Sequence, residues 1–293
     1  MVYKCMELTK ETKILIVGLG VIGGGYAAAL TRQGYDVSCI TLKQEDINYA
    51  IANGIIKSGT TRTDERLIGE ADLVVFALYP GVFINWIEKN QHMLKSGCII
   101  TDVTGVKGSV VYKVQDMLRS DVEFISAHPM AGRERSGVEY SNPDVFHGAN
   151  YIVTPTDKNT EDAIKLAEEL GNVLGFARIS RLTPEEHDVM IAFLSQLTHC
   201  IAVTLMNSNR SAGLEKYTGD SFRDLTRIAK INDEMWSELF MLNRAALLSE
   251  MDAFAAEFNT FRNMLSDGDV QGMREKMQES TKRRSLFDKP KGV

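Results

Sequence analysis

Residues 124–137 read FISAHPMAGRERSG. A short apolar run ends in His128 and Pro129. Gly132 and Gly137 then bracket a loop carrying Arg133, Glu134 and Arg135. An imidazole with a pKa near ~6.5 can take a proton from a substrate hydroxyl at neutral pH. Nearby arginines would favour an anionic substrate and disfavour the imidazolium, keeping the ring neutral. The pattern points to general-base chemistry at His128 on an anion, with Gly132 and Arg133 beside the substrate. Arg135 reads as a solvated loop charge.

A second constellation lies in VGLGVIGGG, residues 17–25. Gly18, Gly20 and Gly23 have the spacing of a dinucleotide turn. Gly18 permits the tight bend, Gly20 the close approach of a pyrophosphate, and Gly23 close packing of helix on strand. Leu19, Val21 and Ile22 complete the turn, whose following helix offers free N–H groups to phosphate. About 20 residues further on, an NAD site usually has an acidic residue for the ribose hydroxyls. Here the chain reads Thr41-Leu42-Lys43, with Glu45 and Asp46 slightly later. No carboxylate at that point repels a 2′-phosphate and Lys43 can pair with one, so the cofactor expected is NADP or NAD, with NADP favoured.

These residues need a scaffold. KILIVGLG (13–20), DVSCITL (36–42), DLVVFALYP (72–80), CIITDV (98–103), VEFISAHP (122–129) and NYIVTP (150–155) read as strands, with helical patterns between most of them. Such alternation predicts an α/β fold with a Rossmann-type parallel sheet covered on both faces. Strand ends near Thr41, Pro80 and Thr104 put their loops on one carboxyl edge, where ligands bind. Leu78, Tyr79, Pro80, Asp102 and Thr104 therefore join the cofactor-binding set. After about residue 180 the strands stop. TPEEHDVMIAFLSQLTHCIAVTLMN (183–207) predicts a helix capped by Thr183, with Pro184 in its first turn and Glu186 completing a capping box. EMWSELFMLNRAALLSEMDAFAAEF (234–258) predicts one long helix, apolar on most of its circumference and buried on several sides. A second subunit is the expected cover, giving a homodimer through the C-terminal helices. The expected domains are 1–178, dinucleotide-binding, and 179–293, all-helical, for substrate and dimerisation.

The 293 residues, 44% of them apolar, can bury a sizeable core, and the net charge of −6 gives no reason to expect nucleic acid or an anionic membrane as partner. No apolar run is read as approaching the ~20 residues of a bilayer span. The polar N-terminus lacks a secretory signal pattern, and Cys5, Cys39, Cys98 and Cys200 are scattered, which suits reduced thiols in a cytoplasmic protein. The basic end, KRRSLFDKPKGV, reads as a frayed tail.

HPMAGRERSGVE followed by DVFHGANYIVTP resembles the prephenate dehydrogenases, with the arogenate dehydrogenases as near relatives. So do the glycine turn, TDVTGVKG (101–108), EEHDVMIAFLSQLTHCIA (185–202) and SFRDLTRIAKINDEMW (221–236). The resemblance spans residue 14 to about 258 in family order. It implies oxidative decarboxylation of prephenate to 4-hydroxyphenylpyruvate in tyrosine biosynthesis, with His128 as the catalytic histidine. It also implies that Arg227 binds a substrate carboxylate, that His199 lines the substrate pocket, and that Trp236 closes it. His187-Asp188 matches a pair at the head of the helix and reads as structural. His187 and His199 stand twelve apart, or ~18 Å along one helix, too far to share an ion, so no metal is expected.

Two positions depart from the family pattern. Gly105 stands where many members carry Ser, and Thr104 is expected to supply the hydroxyl instead. Lys107 reads either as an anion contact or as a surface charge at a helix start. Gln196 replaces a histidine and is expected at the substrate, where it bears on the choice between prephenate and arogenate. The alternatives are an arogenate dehydrogenase, a β-hydroxyacid dehydrogenase or imine reductase of similar architecture, and a catalytically silent dinucleotide sensor. The stretch after residue 260 is not expected to form the small βαββαβ regulatory domain of some relatives.

Overall fold

The computed structural model describes residues 7–132, 135 and 137–288. β1 (Lys13–Val17), β2 (Asp36–Ile40), β3 (Ser58–Thr60), β4 (Leu73–Phe76), β5 (Ile99–Asp102) and β6 (Glu123–Phe124) form one sheet in the order β3-β2-β1-β4-β5-β6. Every pairing in it is parallel. β1 sits between β2 and β4, with Ile14 opposite both Val37 and Leu73. The unbroken burial of Leu73–Phe76 and of Ile14–Val17 is what a strand covered on both faces requires. The crossovers are α1 (Val21–Arg32), α2 (Gln44–Ala52), α3 (Glu65–Glu70), α4 (Pro80–Asn90) and α5 (Gly108–Met117).

One expected strand proves to be two. After β6, Ile125 still donates its N–H to Ile100 O at 3.0 Å. The chain then turns into β7 (Ser126–Met130), which belongs to a second sheet with β8 (Asn150–Thr154) and β9 (Arg178–Arg181), the latter two spaced by α6 (Glu161–Leu174). β7 pairs antiparallel with β8, placing His128 opposite Ile152. His128 is therefore carried by the small sheet and not by the parallel one. Ser126 and the carboxyl end of β5 hold the junction, through a 2.6 Å bond from Ser126 Oγ to Asp102 Oδ1.

The helical region opens with α7 (Pro184–Ile191), started by the predicted capping box: Glu186 N–H donates to Thr183 Oγ1 at 3.2 Å and Thr183 N–H to Glu186 Oε2 at 2.8 Å. A π-helical segment, Ala192–Leu197, leads into α8 (Thr198–Ser208). Together they run 25 residues and contain an 18-residue window of mean hydropathy 1.8, enough by length and composition to cross a bilayer. This is longer than the apolar runs expected from the sequence, because the polar Gln196, Thr198 and His199 interrupt the run without ending the helix. The buried His187, Asp188 and Gln196 on it all have polar partners within the fold.

α9 (Asp220–Thr226) and α10 (Asp233–Leu242) follow, then α11 (Arg244–Asp267) and α12 (Val270–Arg284). The long helix expected over 234–258 is broken at Asn243, whose side chain donates to Asp188 O and to Gln196 Oε1, both at 2.8 Å. With that break the apolar residues need not share one surface. The chain divides into two compact units at this point, Met1–Asn243 and Arg244–Val293. In the second unit α11 and α12 pack on each other, with Lys276 Nζ 2.6 Å from Glu257 Oε1. The basic end is ordered in α12 and a turn as far as Phe287, not frayed from Lys282.

Candidate active site

The glycine turn has the shape its residues predict. Gly18 adopts φ +95°, and a Cβ there would lie 2.4 Å from Ala77 O. A Cβ on Gly23 would lie 2.0 Å from Gly18 O, so helix and strand touch through backbone. At Gly20 a Cβ would meet nothing within 4 Å, leaving the backbone open to a ligand. Gly20 caps α1 without a side-chain bond and no acidic residue stands in the first turn. These free N–H groups, with the helix dipole behind them, fit a pyrophosphate. The β4–α4 loop, with Leu78, Tyr79 and Pro80, packs against this turn, Leu78 lying 2.9 Å from the Cβ position of Gly18. Thr41 and Lys43 follow β2 on the same carboxyl edge. Lys43 is exposed, and its backbone opens α2.

His128 heads a chain of bonds. Its Nδ1 lies 2.8 Å from Nε2 of His187, and His187 Nδ1 lies 2.8 Å from Asp188 Oδ1. The Asp188 carboxylate also accepts the backbone N–H groups of Lys107 and Gly108, each at 2.8 Å, at the start of α5. A carboxylate only accepts, so His187 must donate from Nδ1, which leaves its Nε2 a lone pair. His128 then donates from Nδ1 and holds its own lone pair on Nε2. One tautomer follows from the network, and it is the one a base needs. Burial holds the His128 pKa well below its ordinary 6.5, helped by His187 and the Lys107 ammonium. Among the described residues these three causes favour the neutral ring that the sequence leads one to expect from the loop arginines. His187-Asp188, read from sequence as structural, touches His128 directly.

A second buried cluster lies beneath. Lys107 is 0% exposed, and its ammonium donates to Asp102 Oδ2 at 2.9 Å and to Ala127 O at 2.7 Å. Asp102 also accepts from the Ser126 hydroxyl and the Thr104 hydroxyl. Lys107 is thus neither an anion contact nor a surface charge. The Asp102 carboxylate, fully buried, does not reach a cofactor through its side chain. Thr104 is turned inward too, its hydroxyl between Asp102 and Val106 O, so the expectation that it replaces the family's Ser at the substrate fails. A Cβ on Gly105 would lie 3.9 Å from His128 Cε1. The cluster anchors the backbone of Ala127, next to His128.

The helices supply a wall. His199 stacks on Trp236 with ring centroids 3.7 Å apart, and His199 Nδ1 donates to Ser195 O at 2.8 Å. The π segment between His187 and His199 marks a widened helix of the kind common at functional sites. Gln196 is 1% exposed, with its amide donating to Leu239 O and accepting from Asn243. It braces α10 and does not face a substrate, contrary to expectation. Arg227 is exposed at the start of a turn, Arg227–Ala229, that packs on α8. Gly132 is exposed with open space about it, and Arg133 lies outside the described residues. No group of three metal-ligating side chains is found among the described residues.

Residues 26–179 match the family model of the prephenate dehydrogenase nucleotide-binding domain, and residues 183–279 that of the prephenate dehydrogenase dimerization domain. The chain belongs to the prephenate dehydrogenase family. It is 30% identical to a prephenate dehydrogenase of Bacillus subtilis over 92% of this chain and 74% of that one. It is 29% identical to a cyclohexadienyl dehydrogenase of Zymomonas mobilis over 94% of this chain and 96% of that one. The crystal structure of the Aquifex aeolicus prephenate dehydrogenase, in complex with hydroxyphenyl propionate and NAD+, matches with a TM-score of 0.88 at 29% identity, covering 96% of this chain and 100% of that one. Membership makes the chain an NAD-dependent oxidoreductase, and the glycine turn and the His128 network are the parts of its fold suited to that chemistry.

Proposed function

We propose that the protein converts prephenate to 4-hydroxyphenylpyruvate in tyrosine biosynthesis, with NADP or NAD as hydride acceptor. The observation that carries the chemistry is the His128–His187–Asp188 chain, which leaves a lone pair on His128 Nε2. Nε2 accepts the proton of the ring C4 hydroxyl as C4 becomes carbonyl-like. A nicotinamide dinucleotide held at Gly18 to Gly23 would supply the acceptor for the C4 hydride. The bond from ring C1 to its carboxylate then breaks, its electrons aromatise the ring, CO₂ leaves, and His128 returns the proton to the phenolic oxygen. Arg227 binds a substrate carboxylate, a task for which a planar guanidinium is suited. His199 and Trp236 form the apolar wall, and Gly132 and Arg133 border the substrate. Gly18 to Gly23, Thr41, Lys43 and Leu78 to Pro80 hold the dinucleotide. Residues 1–178 act as the nucleotide-binding domain and 179–293 as the helical one, and the family models change over between 179 and 183.

NADP is favoured because β2 runs into Thr41-Leu42-Lys43 with no carboxylate among them. Arogenate is the second reading, favoured by the near-equal identity to a relative named for cyclohexadienyl substrates in general. The chain pairs with a second copy through α11, whose Leu248, Met251, Phe254, Phe258, Phe261 and Leu265 are exposed and spaced three or four apart along one face. The free, buried thiols of Cys39 and Cys98 suit a reducing cytoplasm. Incubation with prephenate or arogenate and either cofactor, following reduced nicotinamide, tests the reading. Turnover of prephenate with NADP above all is expected, and equal turnover of arogenate would overturn the substrate assignment.

A further inference from the structure

The N-terminus of α4 is capped from a distance. Tyr79, its own cap residue, makes no side-chain capping bond to the helix, and Pro80 has no N–H to offer. The first free donor is Gly81 N–H, and it reaches Oε1 of Glu238 on α10 at 2.7 Å. A Cβ at position 81 would lie 2.8 Å from that oxygen, so the glycine makes room for the carboxylate. A second bond runs in parallel, from Asn232 Nδ2 to the Tyr79 hydroxyl at 3.1 Å. The same short helix bears Trp236, stacked on His199, and Leu239, which receives the Gln196 amide. On its other side the loop 77–80 packs against Gly18 and Gly23.

We infer that Glu238 is a positioning residue that ties the cofactor-side loop to the substrate-side helix, so that occupancy of one site is felt at the other. This rests on the proposed placement of dinucleotide and substrate on the two sides of α10. A carboxylate also complements the positive end of α4.

The test compares Glu238→Ala with Glu238→Gln, which keeps an oxygen acceptor at the same place. Calorimetric titration of each with NADP+ and NAD+ reads the dissociation constant directly. Loss of the cap is expected to weaken dinucleotide binding up to about tenfold, the scale of one helix cap, and to raise the prephenate KM in the same direction with kcat within about threefold. Glu238→Gln stays within about threefold of the parent in both. Asn232→Ser retains a cap for α10 but loses the bond to Tyr79, and is expected to shift both constants the same way by a smaller factor. The inference is overturned if Glu238→Ala and Asn232→Ser bind dinucleotide as the parent does, whatever their melting temperatures. The titration is independent of substrate: a protein that turns over neither prephenate nor arogenate refutes the proposed function while the dinucleotide constants still decide the role of Glu238.

Discussion

His128 Nδ1 lies 2.8 Å from His187 Nε2, and the Asp188 carboxylate at the far side of His187 fixes which ring donates to which. The relationship assigns a job to a residue with no need to touch substrate. His187→Phe keeps the volume but removes the acceptor, so His128 loses the bond that selects its tautomer. The expected result is a fall in kcat of roughly 10- to 100-fold, the scale of one buried bond partner lost, with the dinucleotide dissociation constant unchanged. Steady-state kinetics and a binding titration check it. A kcat equal to the parent's would mean that the tautomer is set elsewhere.

The same burial predicts a pH dependence. His128 and His187 both have pKa values lowered from their ordinary 6.5, burial being the first cause for each. In the unfolded chain they take up protons below about pH 6.5, while in the folded chain they do not. Below that pH the unfolded state binds more protons, so stability is whole above it and is lost as the pH falls toward the folded values. Each ring contributes a slope of up to about 1.4 kcal/mol per pH unit. Thermal unfolding between pH 7.5 and 5 should show the loss, and His128→Asn should flatten it. A variant as steep as the parent contradicts the assignment. For the same reason the acid limb of kcat/KM should lie below 6.5.

The Lys107–Asp102 pair, both side chains fully buried, predicts a stability effect. Lys107→Met leaves the carboxylate without its cation and should cost about 3–5 kcal/mol in denaturant unfolding. Pairing it with Asp102→Asn should recover much of that, because the uncompensated charge is gone. A Lys107→Met protein as stable as the parent would show that the ammonium does not brace Ala127 and His128 beside it.

The sequence shows what is local. The glycine spacing, the Thr183 capping box and the strand patterns other than the one over 122–129 depend on near neighbours, and the structure has them where the residues place them. Side-chain direction after a turn is a different matter. Asp102, Thr104 and Lys107 look like polar residues at a ligand edge, and only the packing of β7 beside β5 turns them inward. Gln196 and the break at Asn243 are linked by a bond across 47 positions, which no periodicity reveals. His187 carried a visible signal, a histidine beside an aspartate at a helix start, but its contact with His128 is set by how α7 meets the small sheet.

The exposed face of α11 predicts the assembly. Phe258 is 62% exposed in the single chain, with Phe254 one turn before it. Light scattering on the eluting protein should give a dimer mass. Phe254→Glu with Phe258→Glu should shift it toward the monomer by placing charges in the apolar contact. A dimer unaffected by both changes would place the interface elsewhere.

The central claim is that the free nitrogen of His128 holds the substrate proton during oxidation. The most direct measurement is the initial rate of nicotinamide reduction with prephenate for the parent and for His128→Asn, alongside a dinucleotide titration of both. The account predicts a fall of ~10²–10⁴-fold in rate with dinucleotide binding intact. A His128→Asn enzyme that reduces nicotinamide at the parental rate would contradict it.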